Sequence, residues 1–328
     1  MLNDRVTDDS MTRISVIVCL LALGISILLC SSLTLGADYP RKPIRIIVTA
    51  GPGGGEDVEA RGLSPFLEKH LGVNIMVEDI AGAGGKIAFE KFQKTDPDGY
   101  TLLTHSFPKG IVLEYMGKVN FRTRDFVPIT IWSRSYQILV VHADSWKTFD
   151  EFVKAAKAKT LSGGLSGRGS LTHLAGLVAV DELGIKVNWV PYDSAVESTA
   201  ALAGKHLDFT VCLPTSAASL IAADRVRGLI VFGGARDPYF PNLPIPKDLG
   251  YNMQSIETLR GLSAPPGTPT AIVKVLEDAV AKAVKEPGFM EFAKKRKMII
   301  APMSSKEYVK ATAEAYPKVE KYQEMLRQ

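Results

Sequence analysis

The residues of this chain that could do acid–base or metal chemistry are few and scattered. None of its five histidines stands at metal-ligand spacing from another histidine or a cysteine; they are His70, His105, His142, His173 and His206. A catalytic site needs a positioned acid–base pair or a metal cluster, and neither pattern is recognisable. The sequence therefore predicts a protein that is not an enzyme and that uses no metal and no cofactor.

One serine comes close to a nucleophile motif. Ser166 lies in G-L-S-G-R, where Arg168 takes the place of the last glycine of the G-x-S-x-G elbow. The chain offers no assignable acid partner for this serine. A hydrolase is therefore kept only as a minor alternative.

A glycine loop that could hold an anion is a stronger signal. The apolar, β-branched run Ile44–Val48 predicts a buried strand, and four of the next seven residues are glycines, ending at Gly55. Glu56 and Asp57 then open a helix whose positive end suits acidic residues. Backbone N–H groups at such a helix start favour an anion. The loop matches neither a dinucleotide fingerprint nor a Walker loop, so it indicates either an anion site or a tight turn that needs glycine.

Two further loops repeat this arrangement. Ala81–Gly85, with the sequence A-G-A-G-G, follows a predicted strand at Asn74–Val77. Leu161–Gly176 brings glycines and hydroxyls to the start of a predicted helix at Leu171–Leu183. Ligands of parallel sheets lie beyond the carboxyl ends of the strands. Both glycine loops lie at such ends, and so does His105, which follows a third predicted strand.

Successive strand–loop–helix units predict an α/β fold with parallel sheets and helices on both faces. The proline-rich segment Gly233–Leu249 is predicted to be a surface connection. The chain then returns to its first domain through a helix that begins at Thr268-Pro269 and a last helix at about Lys306–Arg327. The predicted division places lobe 1 at residues 38–140 and 261–328, and lobe 2 at residues 141–260.

The N-terminal residues predict export. Ile14–Cys30 carries no charge, follows Arg13, and is short for a hydrocarbon core of ~30 Å. These features are typical of a signal peptide, and a cut after Ala37 is predicted. We therefore expect residues 1–37 to be removed and the protein to be periplasmic, with an uncleaved anchor as the weaker alternative. Cys212 is the only cysteine beyond this segment, so no internal disulfide is expected.

Length and charge set broader limits. The 328 residues have a formal net charge of +4 at pH 7, and no basic stripe is interleaved with aromatic residues. Nucleic acid is therefore not an expected partner. Beyond the leader, the chain is long enough for two domains with cores of their own.

Seven segments, in order, resemble one family. They are Y-P-R-K-P-I-R at 39–45, the glycine loop ending in E-D-V-E-A-R, A-G-A-G-G at 81–85, D-P-D-G-Y-T-L-L at 96–103, S-G-R-G-S-L-T-H-L-A-G at 166–176, V-P-Y at 190–192 and G-L-S-A-P-P-G-T-P at 261–269. Together they resemble the periplasmic solute-binding proteins of tripartite tricarboxylate transporters, the Bug or TctC-like family. The resemblance covers essentially the whole chain beyond the leader.

The resemblance implies a two-lobed, periplasmic-binding-protein-like fold, in which each lobe is a mostly parallel sheet flanked by helices. It implies that a small carboxylate binds in the cleft between the lobes and is delivered to the membrane permease subunits of the transporter. We expect a monomer. With His105 and Arg168 added from the residues themselves, the predicted ligand-binding positions are Gly53, Gly54, Gly55, Asp57, Ala83, Gly84, Gly85, His105, Ser166, Arg168, Gly169, Ser170, Thr172 and Tyr192. A ligand-loaded sensor subunit for a signalling receptor is an alternative, because it would use the same closed form.

Several positions depart from the family pattern. Many relatives have Ser or Thr where Gly55 stands, and Asp where Cys212 stands. An Asp suits an amino group on the ligand, so its loss argues against an amino acid. Asp193 replaces a cation. Arg168 takes a usually uncharged place, where it is either a bidentate clamp for a ligand carboxylate or a solvated residue paired with Asp193.

Overall fold

The computed structural model describes residues 39–327, and the predicted signal peptide at residues 1–37 lies outside them. In chain order the strands are β1 (Ile44–Val48), β2 (Ile75–Asp79), β3 (Thr101–Phe107), β4 (Val127–His142), β5 (Leu161–Leu165), β6 (Val187–Pro191), β7 (Phe209–Cys212), β8 (Val226–Phe232), β9 (Glu257–Ala264) and β10 (Ile299–Met303). The α-helices are α1 (Gly55–Leu71), α2 (Lys86–Phe92), α3 (Lys109–Met116), α4 (Phe149–Ala158), α5 (Leu171–Leu183), α6 (Ala195–Ala203), α7 (Pro214–Ala222), α8 (Thr270–Ala283), α9 (Pro287–Lys295), α10 (Ser305–Glu320) and α11 (Gln323–Arg327).

Two groups of three parallel strands form the centre of the architecture. The first sheet contains β2, β1 and β3 side by side and parallel, and the second contains β6, β5 and β7 in the same relation. Parallel strands need crossover connections, and helices supply them here. The predicted α/β fold is therefore confirmed, although antiparallel strands extend both sheets.

The 16-residue strand β4 belongs to both sheets. Its first part pairs antiparallel with β9 and β10, and its last part pairs antiparallel with β7 and β8. On its own sequence pattern, only the apolar end of β4, Ile138–His142, is predicted to be a strand. Because β4 runs through the predicted boundary at residue 140, the division into lobes at that residue stays a prediction.

Side-chain caps explain where several helices begin. Ser170, Ser194 and Ser304 each accept a hydrogen bond from the N–H three residues further on, at the starts of α5, α6 and α10. The predicted last helix is two helices, since α10 ends at Glu320 and α11 begins at Gln323. Of the described residues, no helix combines the length and apolar character that a membrane span requires.

Each sheet buries its own apolar layer. Ile44, Leu63, Leu276 and Phe289 belong to a core between the first sheet and helices α1, α8 and α9. Phe152, Leu174 and Phe209 belong to a second core around the second sheet. The second core also includes residues of the first sheet, such as Phe107 and Leu259, so apolar packing continues from one sheet to the other. The loops at the strand ends of both sheets are left to form a site between them.

Candidate functional site

A cleft of about 730 Å³ lies at the carboxyl ends of strands from both sheets. Its walls include residues 49–51 after β1, residues 81–85 after β2 and residues 166–172 after β5. Tyr192 and Asp193, which follow β6, also line it. The three loops that the sequence singled out therefore meet at one place.

Most of the predicted ligand-binding residues line this cleft; they are Gly54, Ala83, Gly84, Gly85, Ser166, Arg168, Gly169, Ser170, Thr172 and Tyr192. Gly53 and Gly55 instead line a second cavity of about 440 Å³, which Gly54 and Ser166 share with the main cleft. Asp57 and His105 line neither cavity. A contact between any of these residues and a ligand stays a prediction.

Asp57 shapes the first loop from behind. Its carboxylate is buried and accepts a hydrogen bond from the N–H of Gly53 at 2.8 Å. It also pairs with Arg61, which in turn pairs with Asp79 at the end of β2. The Asp57 side chain thus connects the loop to α1 and, through Arg61, to β2. Its negative charge is balanced by Arg61.

His105 points into the core of the first sheet. It is 1% exposed, and its Nε2 lies 3.2 Å from the hydroxyl of Tyr308. Its ring meets that of Phe89 edge to face. Burial lowers the pKa of His105 to about 4, so the ring is neutral at pH 7. His105 was predicted to follow the strand, but it lies within β3, and the alternation of side chains along β3 turns it away from the cleft that Ser106 lines.

Many of the loop amides already donate hydrogen bonds inside the protein. These are Gly54 to the carbonyl of Gly51 (3.3 Å), Gly85 to that of Gly82 (2.9 Å), Ser170 to that of Gly167 (3.3 Å), Ser166 to Thr172 Oγ1 (3.1 Å) and Gly169 to His173 Nδ1 (3.1 Å). These bonds fix the shape of the loops. The N–H groups best placed to receive a ligand are those of the first helical turns, which have no acceptor within a helix.

The second glycine loop is held in an unusual backbone. Gly82, Ala83, Gly84 and Gly85 all have positive φ. A Cβ at Gly85 would stand 2.9 Å from the carbonyl oxygen of Thr49. Glycine is therefore required there both for the left-handed backbone and for close contact with the first loop.

An ion pair that the sequence did not reveal joins the base of the cleft. Glu56 is 4% exposed, and its carboxylate accepts hydrogen bonds from Lys109 Nζ at 2.6 Å, Thr49 Oγ1 at 2.7 Å and the N–H of Ser106 at 3.1 Å. Burial raises the pKa of Glu56, but the charge of Lys109 and these donors outweigh burial and hold it at about 2. Lys109 Nζ also donates to Thr49 Oγ1 at 3.2 Å. The ammonium group of Lys109 therefore binds side chains of the protein itself.

The loop after β5 is braced by hydroxyls and a histidine. Thr172 Oγ1 lies 3.0 Å from Ser166 Oγ and 2.7 Å from Ser170 Oγ. His173 is buried, and its Nδ1 accepts from the N–H of Gly169. Burial, and then the positive charge of Arg168, lowers the pKa of His173 to about 4. His173 therefore holds the loop in place and is neutral at pH 7.

Arg168 is exposed on the cleft wall. Asp193 lines the same cleft, but the described residues include no ion pair between the two side chains. The pairing with Asp193 is therefore not seen, while the exposure of Arg168 is that of a solvated side chain. Whether the guanidinium binds a ligand carboxylate stays a prediction.

A family model described as "Tripartite tricarboxylate transporter family receptor" (TctC) matches residues 60–326. The chain belongs to this family. The resemblance found in the sequence is thereby confirmed.

Individual proteins agree with this assignment. The receptor is 33% identical over 284 residues to a Cupriavidus necator protein named only for its place in the gbd 5′ region, covering 85% of this chain and 86% of that one. It is 28% identical over 259 residues to BugT of Bordetella pertussis, covering 77% and 79%. A crystal structure of a TctC solute-binding protein from Polaromonas superposes with a TM-score of 0.75 at 29% identity, covering 88% of this chain and 99% of that one.

Several cleft residues of the receptor escaped the sequence reading. Lys109 and Met116 lie on α3, a helix that was not predicted, and both line the cleft. Gln137 donates to Thr258 Oγ1 at 3.0 Å, while its Oε1 is buried without a partner. The only sequence signal for any of these was the place of Lys109, two residues after the end of β3.

The receptor's single described cysteine and its acidic residues show no sign of metal chemistry. Within residues 39–327, no three or more His, Cys, Asp or Glu side chains are grouped as metal ligands. Cys212 is buried, and burial raises the pKa of its thiol to about 12. It is therefore a thiol at neutral pH and packs as a small apolar side chain.

Proposed function

We propose that this receptor binds a small carboxylate in the 730 Å³ cleft, in the periplasm, and releases it chemically unchanged. One observation carries the proposal: the first residues of four helices line the same cleft. Gly54 and Glu56 begin α1, Ser170 begins α5, Ala195 begins α6 and Leu213 precedes α7. Each helix start favours an anion by ~0.3–2 kcal/mol.

The source of affinity follows from these numbers. A micromolar complex requires ~8 kcal/mol, which the helix ends alone do not supply. Hydrogen bonds to a charged group add ~1.5–3 kcal/mol each. Since Lys109 is neutralised by Glu56, we propose that the main cleft binds its carboxylate chiefly through backbone N–H groups and hydroxyls.

A thermal-shift screen tests this proposal. A panel of small carboxylic acids should raise the melting temperature of the protein, since a ligand at 100 times its Kd adds ~2.7 kcal/mol to stability. The methyl ester of each active acid, which has the same shape but no charge, should give no shift. Equal shifts from acid and ester would contradict an anion site.

We further propose that the loaded receptor acts as a monomer and delivers its ligand to the membrane permease subunits of a tripartite tricarboxylate transporter. Family membership supports this partner. Uptake of a labelled carboxylate identified in the screen should require both this receptor and those subunits in cells. If deletion of the receptor leaves uptake of the carboxylate unchanged but abolishes a signalling response to it, the sensor alternative is favoured.

A further inference from the structure

The second cavity, of about 440 Å³, opens beside the main cleft. The two share the wall residues Gly54, Ser166, Ala195, Leu213 and Ser216. Because they share these residues, the two cavities lie side by side. We call the second cavity the arginine chamber. Besides the shared residues, its wall contains Gly53, Gly55, Val58, Glu59, Ser135, Ser194, Val196, Thr215, Arg260 and Arg296–Met298.

Arg260 is the only buried basic side chain among the described residues that line the chamber. It is 5% exposed, and its Nη1 is paired with Glu59. The other oxygen of Glu59 accepts hydrogen bonds from Trp132 and Ser133. The guanidinium is therefore fixed from one side by a carboxylate that is itself fixed.

The opposite side of the guanidinium has no partner. Arg260 Nε is buried and makes no hydrogen bond, and the hydrogen bonds of the described residues include none from Nη2. Nε and Nη2 lie on one edge of the planar group, where two parallel N–H donors match the two oxygens of an anion. A buried charged donor without an acceptor is unusual and calls for one.

Gly55 leaves room for this edge. A Cβ built at Gly55 would stand 2.7 Å from Arg260 Nη2. Gly55 is the first residue of α1 and does not have positive φ, so its backbone does not require glycine. The missing side chain is therefore needed for space next to Arg260.

The charges around the chamber favour an anion as well. The starts of α1, α6 and α7 all contribute to its wall. Arg296 and Lys297 are exposed at its edge. Among the described residues of the wall, Glu59 is the only acidic one, and it is already paired with Arg260.

We propose that the arginine chamber binds a second anionic group of the ligand and that Arg260 selects for that group. The ligand class is a carboxylate that bears a further carboxylate, sulfonate or phosphonate. This inference rests on the proposed function, since the first carboxylate occupies the main cleft. The second group enters past Gly54 and Ser166 and accepts hydrogen bonds from the free edge of Arg260.

Calorimetry with a series of straight-chain diacids, from succinate to suberate, and their monomethyl esters tests the proposal. The wild-type protein should bind at least one diacid ten times or more tightly than its own monoester, a difference of about 1.4 kcal/mol. Two variants should reduce that ratio to about threefold or less. Gly55→Ala keeps every charge but puts a methyl group against Nη2, and Glu59→Gln/Arg260→Gln removes the buried pair without leaving one charge alone.

A matched control separates the chamber from a general effect of charge. Arg45→Gln/Glu78→Gln removes another Arg–Glu pair, with 3.1 Å between Nη1 and Oε2, on the neighbouring strands β1 and β2. This variant should keep the full preference for the diacid. A ratio near one in the wild type, or a preference that survives in both chamber variants, would overturn the inference while leaving the proposed function intact. A wild-type protein that binds neither diacids nor monoesters would refute the proposed function itself.

Discussion

Replacing Lys109 by methionine should destabilise the receptor strongly, because Glu56 would keep its buried charge and lose its counterion. Glu56 is 4% exposed, and the Lys109 side chain is 17% exposed. A pKa that falls from 4.5 to about 2 on folding corresponds to roughly 3 kcal/mol of stability at pH 7. Removal of one partner from a buried ion pair typically costs ~3–5 kcal/mol. We expect a loss of about 3 kcal/mol, at the lower end, since Lys109 retains some contact with water.

Urea unfolding at pH 7 measures this loss, and two further variants test its cause. Glu56→Gln/Lys109→Met should be more stable than Lys109→Met, because a neutral amide needs no counterion. Lys274→Met removes an exposed lysine that pairs with Asp278, and it should remain close to the wild type.

The pH dependence supplies a second check. The folded-state pKa of Glu56 is depressed, so its contribution is present above pH 4.5 and is lost as the pH falls from 4.5 to about 2. In Lys109→Met the folded protein can protonate Glu56 more readily, so the stability gap to the wild type should shrink over this range. A gap below 1 kcal/mol at pH 7, or one that stays constant down to pH 3, would refute the reasoning.

Two more variants probe the loop after β5. Gly169 has φ +71°, and a Cβ there would overlap Met116 Sδ; Gly169→Ala should lose ~1–2 kcal/mol from the backbone plus a steric part. Urea unfolding should show Gly169→Ala/Met116→Ala to be more stable than the summed single losses, and strict additivity would exclude the contact. The folded pKa of His173 is lowered from 6.5 to about 4, so its contribution is present above pH 6.5 and is lost as the pH falls from 6.5 to about 4. His173→Gln should flatten the stability curve in that range by about one proton, and an unchanged slope would show that His173 does not titrate there.

Elements with local signals could be predicted from the sequence. β1 is a run of apolar β-branched residues, and α5 has a serine cap followed by apolar residues, so each is specified by its own segment. β4 could not be predicted as a whole, because its two parts are stabilised by different partners far away in the chain. Polar residues inside β4, such as Arg134 and Gln137, are more typical of a loop when the sequence of that segment is considered alone.

The candidate site also contains features with a local sequence signal and features that depend on distant residues. The glycine loops could be found because a helix start after a strand is a short-range pattern. Arg260 and Lys109 could not, since their carboxylate partners lie 201 and 53 residues away. Asp57 was assigned to the ligand from the family resemblance, which gives its position but not the direction of its side chain. Its role in closing the loop depends on Gly53 and Arg61, which only the folded structure brings together.

The sharing of β4 by both sheets limits how one sheet can move against the other. A loop hinge would rotate at little cost, but β4 holds ladder hydrogen bonds along nearly its whole length. Any rotation of one sheet against the other must therefore bend and twist the hydrogen-bonded strand β4, and the cost of this deformation rises with the angle of rotation. The ladder of β4 is locally disrupted by register irregularities, and bending is easiest there. These irregularities lie at Pro128/Thr130, Ile131/Ser133 and Leu139/Val140. Part of the free energy of ligand binding would then be stored as strain in β4, available to drive the sheets apart again.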